Sequence, residues 1–264
     1  MSGSANDEVG WEGASYATQS GHHRSFDDWF LDQHRPMPGD TIIDAGCGSG
    51  EFTARLAALA TDGHVIGVEP DASMLEAAAR HAATNLEFRQ GSVQELDGVC
   101  APSSADLVVS RAVFHWIPLS DYPRCFRAVH GVLKPGGWFH AESGGAGNVS
   151  AFRGVLGAVA RELGLSQKEM SFPDAGVALD LLEHAGFTAT SSASTVAQRR
   201  AFDREGLLGM IRTQASVAWG VGSDAGRLDE FVAAAADRIE ELRRHDGSFD
   251  QTFVRLHILA QRRA

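Results

Sequence analysis

Three glycines alternate with small residues directly after a short apolar run in this 264-residue chain. Gly46, Gly48 and Gly50 follow the run Thr41–Ala45, and glycine, which has no Cβ, lets the backbone approach a ligand closely and adopt positive φ. The dinucleotide fingerprint GxGxxG would need its third glycine at the position of Glu51. The spacing therefore predicts a ligand-binding turn that differs from the turn that binds NAD.

The charges around this loop indicate the charge of its ligand. Asp44 precedes the first glycine, Glu69 ends the next predicted strand, and no Lys or Arg lies between Thr41 and Thr53. A carboxylate at the strand end attracts a ligand with an ammonium and a sulfonium group, whereas it would repel a pyrophosphate. An acidic side chain at the end of the second strand can accept hydrogen bonds from both hydroxyls of a ribose. The pair of carboxylates predicts an adenosyl sulfonium ligand.

Short apolar runs alternate with stretches of helical periodicity around these groups. A leading helix at Tyr16–Gln33 ends before Pro36 and Pro38, and the alternation that follows predicts a parallel sheet with right-handed crossovers. Such a sheet binds ligands at the carboxyl ends of its strands. The predicted strands are Thr41–Ala45, His64–Val68, Leu86–Gln90, Ala105–Ser110, Gly137–Glu142, Thr188–Gln198 and Thr252–Ala260, and the predicted helices are Phe52–Ala60, Ala72–His81, Tyr122–Val132, Val149–Leu163 and Val177–Ala185.

The predicted fold class is α/β, a Rossmann-like, seven-stranded, mostly parallel sheet with helices on both faces. A helical N-terminal segment and a helical lid insert are added to it, the insert being indicated by apolar residues at helical spacing between Leu207 and Leu242. These apolar faces suit a lid or a dimer interface. We expect both added segments to lie outside the core, to roof the site and to become ordered when ligands bind. The expected divisions are 1–40 (flexible tail and cap helix), 41–200 (core), 201–248 (lid insert) and 249–264 (final strand of the core).

Composition narrows the class of partner. The net charge of -11 argues against sequence-independent binding of nucleic acid, because a phosphate backbone would be repelled. Three scattered cysteines make no disulfide framework, and His22 and His23, which diverge on a helix, make no metal site. No basic, apolar leader and no apolar run of about 18 residues is present. We therefore expect a cytoplasmic monomer or homodimer that acts on a small molecule, without metal, nucleic acid or membrane partners.

Four ordered motifs resemble those of class I S-adenosylmethionine-dependent methyltransferases. They are Asp44–Gly50, Glu69, Asp106–Pro118 and Leu133–Gly137. Within that superfamily, the chain is most similar to the trans-aconitate methyltransferase-like group. The features that carry this narrower resemblance are His115-Trp116, Gly145–Asn148, Phe172-Pro173, Ala185–Phe187 and Thr252–Leu256.

The resemblance implies S-adenosylmethionine as cofactor, with S-adenosylhomocysteine as product. Arg24 would pair with the carboxylate of the cofactor, and Ser92 stands where the family commonly has an acidic residue for the adenine amino group. The cofactor-binding residues implied are Tyr16, Arg24, Asp44, Ala45, Gly46, Cys47, Gly48, Glu69, Pro70, Met74, Ser92, Val93, Ser110, Arg111 and Ala112.

The reaction implied is direct SN2 transfer of a methyl group to a small-molecule acceptor, with an oxygen of a carboxylate or hydroxyl as the first expectation. His115 is either a general base or part of the pocket wall, and Glu142 is expected to face the cleft as a second catalytic candidate. The candidates for binding substrate are His23, Trp116 and Arg212, the last being either a carboxylate partner or an exposed charge. The alternatives are a cofactor-binding protein of this fold without transfer activity or with another reaction, and an NAD-dependent oxidoreductase.

Overall fold

The computed structural model describes residues 21–188, 190–213, 215–222 and 224–264, with side chains from residue 26 onward. In chain order the helices and strands are α1 (Gly21–Gln33), β1 (Thr41–Ala45), α2 (Glu51–Leu59), β2 (His64–Glu69), α3 (Ala72–Ala78), β3 (Leu86–Gln90), α4 (Leu96–Val99), β4 (Ala105–Arg111), α5 (Tyr122–Val132), β5 (Leu133–Gly144), α6 (Ser150–Glu162), α7 (Ala175–His184), β6 (Ser192–Phe202), α8 (Arg204–Thr213), α9 (Ala225–Arg238) and β7 (Phe249–Gln261). Short 3₁₀ turns lie at Ala79–His81, Val93–Glu95, Phe114–Trp116, Leu119–Asp121, Ala215–Trp219 and Ile239–Leu242.

The seven strands form one sheet in the order β3-β2-β1-β4-β5-β7-β6. Neighbouring strands from β3 to β5 pair in parallel, and β7 runs antiparallel to both β5 and β6. The predicted fold class, a mostly parallel Rossmann-like sheet, is confirmed. Because the strand order reverses between β1 and β4, a crevice opens beyond the carboxyl ends of these two strands. Within the part of the chain that is described, no helix is long and apolar enough to cross a membrane.

The limits of strands β5 and β6 differ most from the predicted ones. Strand β5 begins at Leu133 because this residue pairs with Ala105 before a shift in register, which is accommodated by a turn with Gly136 at φ +81°. Strand β6 starts and ends four residues later than predicted, since its limits are set by the antiparallel ladder that joins Ser192 to Leu259 and Phe202 to Phe249. Neither limit follows from local periodicity, because both depend on a partner strand.

Helix α1 packs against the sheet as part of the core. Phe30 is fully buried and Leu31 is 6% exposed, and both belong to an apolar cluster with Ile42 of β1 and Leu56 of α2. The Phe30 ring also stacks on the His140 ring of β5, with centroids 3.6 Å apart. The expectation that the leading helix lies outside the core is therefore wrong for this part of the helix, because its apolar side chains are buried against strands rather than over a cleft.

The segment between β6 and β7 is helical, as predicted, and forms a second apolar cluster with α6. Leu207 and Ile211 of α8 and Phe231 of α9 are fully buried there together with Leu156 of α6. Helix α6 precedes α7 and β6 in the chain, so this helical layer is assembled from two separate segments. Side chains of this layer line the cavity described below.

Candidate active site

The glycine loop is fastened to β2 by two hydrogen bonds. The backbone N–H groups of Gly46 and Cys47 donate to the carbonyl oxygen of Val68 at 2.8 and 3.1 Å. Gly46 has φ +83°, and a Cβ built on it would lie 2.3 Å from Cγ2 of Val113, so only glycine fits. A Cβ on Gly48 would meet nothing within 4 Å. The loop thus has a packed side at Gly46 and an open side at Gly48, where a ligand can approach the backbone.

The carboxylate of Glu69 binds the backbone of the glycine loop on its open side, at Gly48. Oε2 accepts a hydrogen bond from the N–H of Gly48 at 3.0 Å, and Oε1 accepts one from the N–H of Asp71 at 3.2 Å. Burial raises the pKa of Glu69, and the two N–H donors oppose this shift. Each carboxylate oxygen can accept more than one hydrogen bond. Glu69 is therefore held in place with acceptor capacity left for the two hydroxyls of a ribose.

Asp44 supplies a second carboxylate at the end of β1. Its side chain is 2% exposed, and Oδ2 accepts a hydrogen bond from Oγ1 of Thr53 at 2.8 Å. Burial raises the pKa of Asp44 to about 6, while Thr53 and the positive charge of Arg111 act in the opposite direction. A buried carboxylate of this kind favours a cationic ligand nearby, because the cation offsets the loss of solvation.

The other predicted cofactor residues lie along the same edge of the sheet, after β2, β3 and β4. Met74 and Val93 are buried, as an adenine pocket would require. The hydroxyl of Ser92 donates to Glu95 at 2.7 Å and that of Ser110 donates to the carbonyl of Ala45 at 2.8 Å, so both hydroxyl protons already have partners within the protein.

Arg111 directs its guanidinium towards α1, and its positive charge also acts on Asp44. It forms an ion pair with Asp27 and lies over the ring of Phe52, 4.5 Å from the centroid. Its side chain thus fastens α1 to the sheet. Tyr16 lies outside the described residues, as do the side chains of His23 and Arg24.

A cavity of about 130 Å³ adjoins the crevice at Ala112. Its wall combines residues after β4, helix α6, the segment before α7, the helical insert and the start of β7. The lining residues are Ala112, His115, Trp116, Asn148, Val149, Phe152, Arg153, Leu156, Gln167, Met170, Phe172, Met210, Ala215, Ala218, Trp219, Phe253 and Arg255. Most of these side chains are apolar, and the charged ones are both arginines.

His115 stands in the cavity wall as a neutral side chain. Burial, together with the positive charges of Arg255 and Arg153, lowers its pKa to about 3. The Oγ of Ser143 accepts a hydrogen bond from the backbone N–H of His115 at 2.9 Å and lies 2.9 Å from Nδ1, so its proton is free to donate to Nδ1. The N–H of Gly144 also points at Nδ1. Nδ1 is thus an acceptor, which assigns the proton to Nε2.

The two arginines of the cavity have different surroundings. Nη1 of Arg255 lies 2.9 Å from Oε1 of Glu142, whose side chain is 1% exposed. The guanidinium centre of Arg153 lies 3.9 Å from the ring centroid of Phe172, and its buried Nε has no hydrogen-bond partner in the part of the chain that is described. Glu142 does not line the cavity. Its carboxylate lies behind Arg255 and compensates that charge.

Of the predicted substrate residues, Trp116 lines the cavity and Arg212 does not. Arg212 is 2.8 Å from Asp229 on the surface of the insert, with about half of its side chain exposed. Residues that the sequence did not single out for substrate include Arg153 and Arg255. Arg255 carried a usable signal, because it is a charge within the apolar run Phe253–Ala260, and a charge in a buried strand needs a partner.

Residues 42–137 match the sequence profile of the family described as "Methyltransferase domain". Trans-aconitate 2-methyltransferase of Deinococcus radiodurans is 40% identical over 100 residues, which are 38% of this chain and 36% of the relative. Residues 42–137 are thus similar to a methyltransferase domain. Arsenite methyltransferase of Halobacterium salinarum is 39% identical to this chain over 106 residues, which cover 38% of this chain and 26% of the relative. The similarity to these relatives thus spans about a third of their length.

Solved structures resemble this protein over most of its chain. The YcgJ protein from Bacillus subtilis has a TM-score of 0.63 at 16% identity, covering 92% of this chain and 100% of its own. Phosphoethanolamine N-methyltransferase 2 of Haemonchus contortus, solved with phosphomonomethylethanolamine and S-adenosylhomocysteine, has a TM-score of 0.61 at 17% identity, covering 96% of this chain and 57% of its own. At such identities the likeness establishes the fold of this chain.

Replacing Gly48 with alanine tests whether the open side of the loop receives the cofactor. We expect Gly48→Ala to weaken binding of S-adenosylhomocysteine by about tenfold or more, because the new methyl group occupies the space in front of the loop. The loss of folding stability should stay near 1 kcal/mol, the usual effect of alanine at positive φ. Calorimetry measures the binding and urea unfolding measures the stability. Gly136→Ala, also at positive φ with open space around it, serves as the control, and equal affinities of the two variants would place the cofactor elsewhere.

Proposed function

We propose that this chain transfers a methyl group from S-adenosylmethionine to an oxygen of a small-molecule acceptor. The observation that carries the proposal is the position of Glu69, a buried carboxylate held by Gly48 and Asp71 beside the open side of the glycine loop. The cavity that begins at Ala112 would give the acceptor a place near that loop. When bound, S-adenosylmethionine would supply an electrophilic methyl group on its sulfonium.

The residues along the sheet edge fit this cofactor by charge and by shape. Glu69 would accept hydrogen bonds from the ribose, and Asp44 would favour the cationic methionine end. Met74 and Val93 provide apolar surfaces for the adenine, with Pro70, Ser92 and the backbone from Ser110 to Ala112 as further contacts. The roles of Tyr16 and Arg24 in closing over the cofactor belong to the same proposal.

The cavity would act mainly by orienting the acceptor and excluding water. Its apolar wall would exclude water from around the reacting oxygen. An acceptor that is already oriented reacts faster, because the entropy of alignment is lost during binding and not in the reaction step. His115 would donate from Nε2 to an acceptor oxygen and fix its orientation. An acceptor that is already ionised, such as a carboxylate, needs no base in this arrangement.

We expect protonation of His115 to have no effect on the turnover rate with an acid acceptor between about pH 6 and 9, because this side chain is neutral down to well below pH 6. A fall in rate near pH 6 that is the same in all His115 variants would come from Asp44, whose pKa burial raises to about 6. His115→Gln, which can still donate a hydrogen bond, should retain most of the activity, whereas His115→Phe should lose about tenfold. Initial rates of both variants across this pH range measure the effect. A rate that falls below pH 6.5 in the unmodified protein and not in His115→Gln would instead make His115 a general base.

A radiolabelled methyl-transfer screen against small acids, phenols and amines tests the proposed function. The expected result is labelled product from one class of oxygen acceptor, with S-adenosylhomocysteine binding measured in parallel by calorimetry. Binding without any product would favour a cofactor-binding protein that does not transfer methyl groups. Binding of NAD in place of S-adenosylhomocysteine would overturn the assignment of the cofactor.

A further inference from the structure

We propose that the cavity selects an acceptor with a single anionic group on an apolar body, and that Arg153 binds this group. The inference rests on the proposed function and narrows its substrate class. It distinguishes a monocarboxylate from the di- and tricarboxylates that a more cationic pocket would bind.

The cavity wall has one positive charge that is available to bind an anion. Arg255 is committed to the buried carboxylate of Glu142, so this pair has no net charge. Arg153 lies within ion-pair distance of no carboxylate in the described ranges, and its Nε has no hydrogen-bond partner there. No acidic residue lines the cavity among the residues described. One uncompensated positive charge therefore faces the acceptor.

The packing of Arg153 suits a carboxylate. Its guanidinium lies over the ring of Phe172 at 3.9 Å, and stacking on an aromatic face fixes the plane of the group while leaving its N–H edges free. Guanidinium edges bind carboxylates through two parallel hydrogen bonds. Phe172 also stacks near His115, with ring centroids 6.0 Å apart. The anion site and the Nε2 donor are thus parts of one wall.

The rest of the cavity suits an apolar body. His115 and Asn148 are polar parts of the cavity wall, but neither carries a positive charge that could pair with a second anion. His115 is neutral, and Oδ1 of Asn148 accepts a hydrogen bond from the N–H of Val254. A second carboxylate would lie against apolar side chains without a cation, which is costly in a buried site. These apolar residues are Trp116, Val149, Phe152, Leu156, Met170, Met210, Trp219 and Phe253.

Calorimetry with three probes tests the inference, using the full chain with and without S-adenosylhomocysteine. The probes are octanoate, the neutral octanamide and the tricarboxylate citrate. We expect octanoate to bind more tightly than the other two, and Arg153→Gln to weaken octanoate binding by about thirtyfold while leaving octanamide unchanged. Arg161→Gln, on the exposed side of the same helix, is the matched control and should bind octanoate normally.

Two further variants keep the test decisive. Arg153→Lys retains the charge without the planar fork and should recover part of the octanoate affinity, and Phe172→Leu should weaken binding because the guanidinium is no longer held in plane. Equal octanoate affinity in Arg153→Gln and Arg161→Gln, or citrate binding as tight as octanoate, would overturn the inference. Failure to bind S-adenosylhomocysteine would overturn the proposed function, and the measurements made without it would still decide the role of Arg153.

Discussion

Replacing Glu69 with alanine is expected to weaken binding of S-adenosylhomocysteine at least tenfold, and more than a hundredfold if both ribose hydrogen bonds are lost. Each hydrogen bond to a charged group contributes about 1.5 to 3 kcal/mol. The variant also removes the acceptor that orients the N–H of Gly48, so the loop loses one of its supports. Isothermal titration calorimetry at constant ionic strength measures the change in dissociation constant.

Two other variants separate the loss of the carboxylate from a general loss of structure. Glu69→Gln keeps the shape and one acceptor oxygen and should show an intermediate affinity. Glu87→Ala removes a carboxylate on neighbouring strand β3 that pairs with Arg89 and His64 near the surface, and it should bind normally. If Glu69→Ala bound as tightly as Glu87→Ala, Glu69 would have no part in the cofactor site.

Lowering the pH from 7.5 to 5.5 is expected to reduce the free energy of unfolding by about 2 kcal/mol through buried groups. Burial lowers the pKa of His115 to about 3 and that of His140 to about 2. Both are neutral in the folded chain and take up protons near pH 6.5 only when it unfolds, so stability falls as the pH drops below 6.5. Asp44, whose pKa is raised to about 6, acts in the opposite direction because it takes up its proton first in the folded chain.

The magnitude follows from about 1.4 kcal/mol for each histidine over this range, less about 0.8 kcal/mol from Asp44. Urea unfolding curves at the two pH values measure the difference. His140→Gln should show a smaller difference, because one of the buried histidines no longer titrates, whereas the exposed His245→Gln should match the unmodified protein. Identical stabilities of the unmodified protein at both pH values would contradict the neutral, buried state of these side chains.

Features determined by neighbouring residues in the chain could be predicted from the sequence. Strands β1 and β3 and helix α5 have the predicted limits, because apolar periodicity and flanking glycine or proline define them locally. The glycine loop and Glu69 could also be placed, since parallel strands bring their carboxyl ends to one edge whatever the side-chain packing. The carboxylates of the crevice are thus readable from spacing alone.

The acceptor cavity could not be predicted, because its contacts join residues that are distant in the chain. Arg153 stacks on Phe172, and Arg255 pairs with Glu142 across neighbouring strands. The guanidinium of Arg111 pairs with Asp27 of α1, which is 84 residues away in the chain. Each of these pairings depends on how helices and strands pack, and none has a local pattern that would indicate its partner.

The shared apolar layer of helix α6 and the insert limits how this protein can be recombined with its relatives. Phe152 and Leu156 of α6 are buried against the insert helices, although the two segments are separated in the chain by α7 and β6. A chimera that exchanges residues 204–242 alone would join foreign side chains to an unchanged α6 and break this layer. A chimera that exchanges residues 150–162 together with 204–242 keeps this apolar layer intact. Such an exchange could replace the wall of the acceptor cavity while leaving the cofactor-binding sheet unchanged.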